Sequence, residues 1–125
     1  MPKALVVDDA VIVRRAMARM VSRRGFEVAE AVDGPSALAA LAADGDVALV
    51  LVDCLMPGMT GLDVIAHLRA DARHDAVKLV LVTGLDERGA ETLSGVNGAD
   101  AVLLKPFRDS ELRALIDRLG LQQAA

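Results

Sequence analysis

Val47 to Gly61 reads VALVLVDCLMPGMTG, and this stretch decides the fold. Val47 to Val52 is an unbroken apolar run, the mark of a strand buried on both faces. Asp53 stops it. Met56-Pro57-Gly58-Met59-Thr60-Gly61 reads as a loop, and Leu62 to Ala70 as a helix with Val64, Ile65 and Leu68 inward. A strand apolar on both sides, followed by an amphipathic helix, is one unit of a parallel sheet with helices packed on it.

The same unit recurs on either side. Ala4 to Val7 is a short apolar strand stopped by Asp8-Asp9. From Val11 to Arg24 the spacing of Val13, Ala16, Met17, Met20 and Val21 makes one helix face, with Gly25 as its stop. Phe26 to Ala31 is a weaker strand. Asp33-Gly34-Pro35 turns into a helix over Ser36 to Ala43, which Asp44-Gly45-Asp46 breaks. Val77 to Val82 is a further strand, interrupted only by Lys78. A fourth helix is expected from Asp86 to Ser94, weakened by Gly89 and ended by Gly95 and Asn97-Gly98. Ala101 to Leu104 is the last strand. Asp109 or Ser110 caps a final helix with Leu112, Leu115, Ile116 and Leu119 as its stripe. Five strands alternate with five helices, which predicts an α/β three-layer sandwich with helices on both faces of a parallel sheet.

A length of 125 residues fits one domain. Apolar residues make up 54%, yet Trp and Tyr are absent and Phe occurs twice, so the core is aliphatic. The net charge is −4 and no basic block is present, which argues against a nucleic-acid or anionic-membrane surface. One cysteine and two histidines support neither an internal disulfide nor a zinc site. Ala4 to Val7 is too short for a signal peptide, and no stretch approaches the roughly 20 apolar residues of a membrane span. A cytoplasmic protein is the expectation.

The chemistry lies at the carboxyl ends of the strands. Asp8-Asp9 follow the first, Asp53 the third, Thr83 the fourth and Lys105-Pro106 the fifth. Ligands of open α/β sheets bind outside these ends. Alone, Asp9 reads as a helix N-cap, Asp53 as a turn cap, Thr83 as a structural hydroxyl and Lys105 as a solvated cation. Together they bring three carboxylates, a hydroxyl and an ammonium to one rim. Two carboxylates about 4 Å apart repel by roughly 4 kcal/mol at an effective dielectric near 20. A hard divalent cation such as Mg²⁺ offsets that repulsion, and Lys105 adds positive charge. A site so charged suits a phosphoryl group, with one carboxylate as nucleophile.

These residues resemble the receiver domains of two-component response regulators. The likeness rests on Val6-Val7-Asp8-Asp9, on Val52-Asp53-Cys54-Leu55-Met56-Pro57-Gly58-Met59-Thr60-Gly61, on Thr83-Gly84 and on Lys105-Pro106-Phe107, in order and spacing along essentially the whole chain. The resemblance implies a flavodoxin-like sheet of order 2-1-3-4-5, a domain over residues 1–120 and a tail over 121–125. It implies Asp53 as phosphoacceptor, Asp8 and Asp9 as the acidic pair for Mg²⁺, and the Leu55 carbonyl as a further metal ligand. Thr83 resembles the switch hydroxyl and Lys105 the lysine that pairs with the phosphoryl oxygens; the Lys105-Pro106 bond is then expected to be cis. The implied donor is a phosphohistidine on a sensor histidine kinase or a phosphotransfer protein. The receiver catalyses its own phosphorylation and dephosphorylation and is not otherwise an enzyme. A protein partner then reads the face made by the fourth helix, fifth strand and fifth helix. A monomer or weak dimer without nucleic-acid or membrane binding is implied.

Departures from the family pattern are specific. Val102 stands where an aromatic residue usually swings with the switch hydroxyl. Leu55 and Leu85 occupy two positions that tune hydrolysis, and neither can orient a water, so slow self-dephosphorylation is expected. The glycine-interrupted fourth helix is expected to order on activation in place of the aromatic switch. Cys54 reads as a small buried hydrophobe pointing away from Asp53. His67 and His74 read as surface residues, Met56 and Met59 as loop packing, and Arg14, Arg15, Arg19, Arg23 and Arg24 as a solvated helix face that could dock an acidic partner.

Three rivals remain. A pseudo-receiver would bind partners without phosphorylation, against the full set of Asp8, Asp9, Asp53, Thr83 and Lys105. An aspartyl phosphatase would place its two acids two residues apart after the first strand, where this chain has adjacent ones. A flavin carrier would need a hydroxyl- and Gly-rich phosphate loop there, and often aromatics.

Overall fold

The computed structural model describes residues 1–84 and 98–121. Among them are strands β1 (Lys3–Val7), β2 (Glu27–Ala31), β3 (Val47–Asp53), β4 (Lys78–Thr83) and β5 (Ala101–Leu104). Helices are α1 (Val11–Arg23), α2 (Gly34–Ala43), α3 (Gly61–Arg69) and α4 (Asp109–Arg118), with a 3₁₀ turn at Ala72–His74. The label α4 thus denotes the final helix; the helix expected over Asp86 to Ser94, with Gly89, Gly95 and Asn97, lies outside the described residues.

All pairings are parallel and the order is β2-β1-β3-β4-β5. The apolar runs take the central places. Every residue of β3 from Leu49 to Val52, and of β4 from Leu79 to Val82, is buried. Two clusters separate the faces: Val50, Val52, Leu79 and Leu81 pack under α2 and α3, whereas Leu49, Leu51, Val80 and Val82 pack under α1 and α4. β2 is an edge strand with mostly exposed side chains, which is why its sequence signal is weak.

Caps place two helices at the rim. Asp33 Oδ1 accepts from the Ser36 amide at 2.8 Å to start α2, and Thr60 Oγ1 accepts from the Asp63 amide at 3.2 Å to start α3. Gly61 is required by close approach: a Cβ there would strike the Asp53 carbonyl. The last helix starts from Arg108, with Asp109 already helical, and keeps the expected stripe Leu112, Leu115 and Ile116.

Three expectations need correction. In α1 the buried residues are Arg14, Met17, Ala18 and Val21, while Val13 and Ala16 face outward. Arg14 is 9% exposed and does not belong to a solvated face. Arg14 falls one turn before Met17, Ala18 and Val21 on the buried face, and its Nε donates to Glu30 Oε1 at 2.9 Å in the seam against β2. His74 is buried too, its amide donating to the Asp71 carbonyl and its own carbonyl accepting from Arg69. The expected role of Asp9 at the rim stands clear of helix capping, since α1 starts at Ala10 without a side-chain cap.

Candidate functional site

Register brings the strand ends to one level. Val7 pairs with Val52, Asp53 with Val82, and Thr83 with Leu104. Asp8, Asp53, Thr83 and Lys105 therefore emerge along one edge of the rim. The chain order reverses between β1 and β3, where a parallel sheet opens a crevice, and Asp8 and Asp53 flank that point.

The structure brings together the acids that the sequence singled out. Asp8, Asp9 and Asp53 each offer a carboxylate oxygen, all within 4.8 Å of one another. Asp8 and Asp53 are buried, and Asp9 is exposed. Lys105 Nζ donates to Asp53 Oδ1 at 2.9 Å and to Asp8 Oδ2 at 3.1 Å. The Lys105-Pro106 bond is cis. Thr83 is 1% exposed at the end of β4. Leu55 is 74% exposed on the rim just past Asp53.

The electrostatics are unbalanced. Burial, then the charges of Asp8 and Asp9, push the Asp53 carboxyl above the ordinary aspartate range, although Lys105 pulls it down. For Lys105, burial works against the ammonium. The bonds and charges of Asp53 and Asp8 outweigh burial and raise it above the ordinary lysine value. One ammonium thus does not neutralise three carboxylates. An all-oxygen, anionic donor set with a shortfall of positive charge fits a hard divalent cation, Mg²⁺ in particular.

Cys54 is buried among the residues beneath α2 and α3, as a small hydrophobe should be. Its thiol also shares a hydrogen bond with Thr83, while burial and the Asp53 charge push the thiol upward. The pairing of Asp53 with Val82 makes Cys54 the neighbour of Thr83 across the two strands. The sequence could not show this link, because register is a tertiary property.

Two features of the rim escaped the sequence reading. One is Arg14, whose Nη1 donates to the Asp8 carbonyl at 3.2 Å. The other is an apolar groove of about 450 Å³ beside Lys105, lined by Ile12, Val13, Met20, Pro106 and Phe107 among others. Its signal was present: Val11-Ile12-Val13 is more apolar than one helix face can bury.

With fold and site in place, the class is defined. Residues 4–117 match the response regulator receiver domain, and the chain belongs to that family. It is 37% identical over 117 residues to the response regulator PleD of Caulobacter vibrioides, covering 94% of this chain and 26% of PleD. It is 34% identical over 118 residues to the chemotaxis protein CheY1 of Helicobacter pylori, covering 92% of this chain and 94% of CheY1. The chain therefore spans about a quarter of one relative and nearly all of the other. The structure of Vibrio cholerae chemotaxis protein CheY4 superposes with a TM-score of 0.86 at 27% identity, over 95% of this chain and 98% of that one.

Proposed function

We propose that this receiver takes a phosphoryl group from a phosphohistidine onto Asp53. The observation that carries the reading is the placement of Asp53. It is buried at the switch point, 2.9 Å from Lys105 Nζ, with two further acids within 4.8 Å. Asp8, Asp9, Asp53 and the Leu55 carbonyl would hold Mg²⁺, which supplies charge neutralisation for the transferred group. An Asp53 carboxylate oxygen attacks phosphorus, the new O–P bond forms as the N–P bond breaks, and the donor imidazole leaves with the electron pair. Lys105 stays with the anionic oxygens, and Thr83 turns its hydroxyl toward them. Leu55 and Leu85, the latter outside the described residues, offer no group to orient a water, so self-dephosphorylation by this chain is slow.

The donor is a sensor histidine kinase or a phosphotransfer protein. The groove beside Lys105 supports this reading, since Ile12 is 81% exposed, lines the groove together with Lys105 and would give a donor helix an apolar seat. A cytoplasmic setting and a domain over residues 1–120 with a short tail are part of the same reading. No described helix is long and apolar enough to cross a membrane. A downstream protein reads the face of β5, α4 and the segment before β5.

Acetyl phosphate with Mg²⁺, followed by intact mass, tests the reading. The parent should gain one phosphoryl mass, and Asp53→Asn or chelation of the metal should abolish the gain. Equal labelling of Asp53→Asn overturns the assignment. A parent that neither labels nor shifts its amide signals with beryllofluoride is a pseudo-receiver.

A further inference from the structure

A buried guanidinium at a core position of a helix needs a reason. Arg14 shares the inner face of α1 with Met17, Ala18 and Val21, where an apolar residue would fill the space. An arginine cannot shed its charge, and burying one costs several kcal/mol unless its donors are matched. Its matches are two. Glu30 on β2 holds Nε, and the carbonyl of Asp8 receives Nη1 at 3.2 Å.

That carbonyl belongs to the peptide joining Asp8 to Asp9. Asp8 is otherwise held through its amide to the Ala31 carbonyl at 3.2 Å, through Oδ1 to the Ala10 amide at 2.9 Å, and through Oδ2 to Lys105 at 3.1 Å. These bonds fix Asp8. The next peptide, which leads to the exposed Asp9, has its carbonyl bonded to Arg14.

We propose that Arg14 is a positioning residue of the metal site: anchored by Glu30, it sets the Asp8–Asp9 peptide so that the Asp9 carboxylate turns toward those of Asp8 and Asp53. The inference rests on the reading of this rim as a Mg²⁺ site. It makes a prediction opposite in sign to simple electrostatics. A cation near the site repels Mg²⁺, so on charge alone its removal would tighten binding. On positioning, its removal loosens binding, because partners that orient ligands typically carry about 10- to 100-fold in metal affinity.

The test is titration of Mg²⁺ into the folded protein, followed by amide shifts well below the melting temperature. Arg14→Lys keeps the charge and loses the two-pronged fork; Arg14→Gln loses both. Positioning predicts roughly tenfold weaker binding in Arg14→Lys and at least as much in Arg14→Gln. Parent-like affinity in Arg14→Lys, or tighter binding in Arg14→Gln, overturns it. Glu30→Asp, on the edge strand, keeps the negative charge but withdraws the carboxylate from the guanidinium without emptying the seam. It should weaken binding in the same direction, and it decides the matter if the Arg14 variants do not fold. Loss of stability with an unchanged Mg²⁺ constant marks a merely structural arginine and also overturns the inference. A parent that ignores Mg²⁺ removes the metal reading itself; a parent that binds and variants that bind equally remove only the role of Arg14.

Discussion

Arg69 and Lys105 stand at opposite ends of β4 and β5, each a part-buried cation among oxygen acceptors. At the amino-terminal end, Arg69 donates Nε to the Gly98 carbonyl at 2.8 Å, Nη1 to the His74 carbonyl at 3.3 Å and Nη2 to Asp100. Asp100 also accepts from the Leu79 amide at 2.7 Å. One cation meets one anion, and the donors find acceptors. At the carboxyl end one ammonium faces three carboxylates. The first cluster is closed and serves to hold the start of β4 to the entry of β5. The second retains an excess of negative charge around two buried carboxylates, and the proposed Mg²⁺ ion would offset it. A charge cluster that balances is architecture; the one that does not is where the proposed Mg²⁺ site falls.

This contrast can be broken or sharpened by measurement. The largest effect expected is from the metal. Mg²⁺ at about 100 times its dissociation constant should stabilise the parent by about 2.7 kcal/mol, and chelation should reverse it. Thermal unfolding with and without the ion checks this; an Asp53→Asn protein that gains as much would show that the excess charge is not what the ion binds. Next, Asp100→Ala should cost about 2 kcal/mol, since it strands Arg69 and the Leu79 amide, and Mg²⁺ should not repair the loss. Denaturant unfolding gives the number. A neutral outcome would mean that the closed cluster holds nothing.

A smaller effect concerns pH. Without metal, Asp53→Asn should melt above the parent at neutral pH, because Asp53 is held above its ordinary value and its charged form costs stability. As pH falls through the folded value the native carboxyl takes up its proton before the unfolded chain does. The gap should then narrow and close near the ordinary value of 3.8. A gap independent of pH would refute the imbalance. The smallest effect is a control. Arg73 pairs with Asp71 at 2.7 Å but lies largely in solvent, so Arg73→Ala should leave the melting temperature unmoved.

Much of this was legible in the residues. The runs Val47 to Val52 and Ala101 to Leu104 read correctly as strands, because a strand apolar on both faces has no other stable home. The acids and Lys105 were legible because each directly follows or ends such a run. Arg14 was not legible: its spacing to Met17, Ala18 and Val21 fits the inner face, but its charge and its neighbour Arg15 mark a solvated stretch, and its partner Glu30 lies 16 residues away. His74 was missed for a similar reason, since a short 3₁₀ turn has no periodicity to read. Cys54 was read as a small buried hydrophobe, but its bond to Thr83 depends on which residues face each other across β3 and β4.

What the chain alone determined is the list of elements and the set of chemical groups at their ends, because burial of apolar runs and the stops between them are local properties. Distance belongs to the folded chain: three acids converge within 4.8 Å, one lysine spans two of them, and an arginine is buried behind the first. Register and helix roll set those distances. Both are settled by contacts between segments far apart in sequence, which no local pattern encodes.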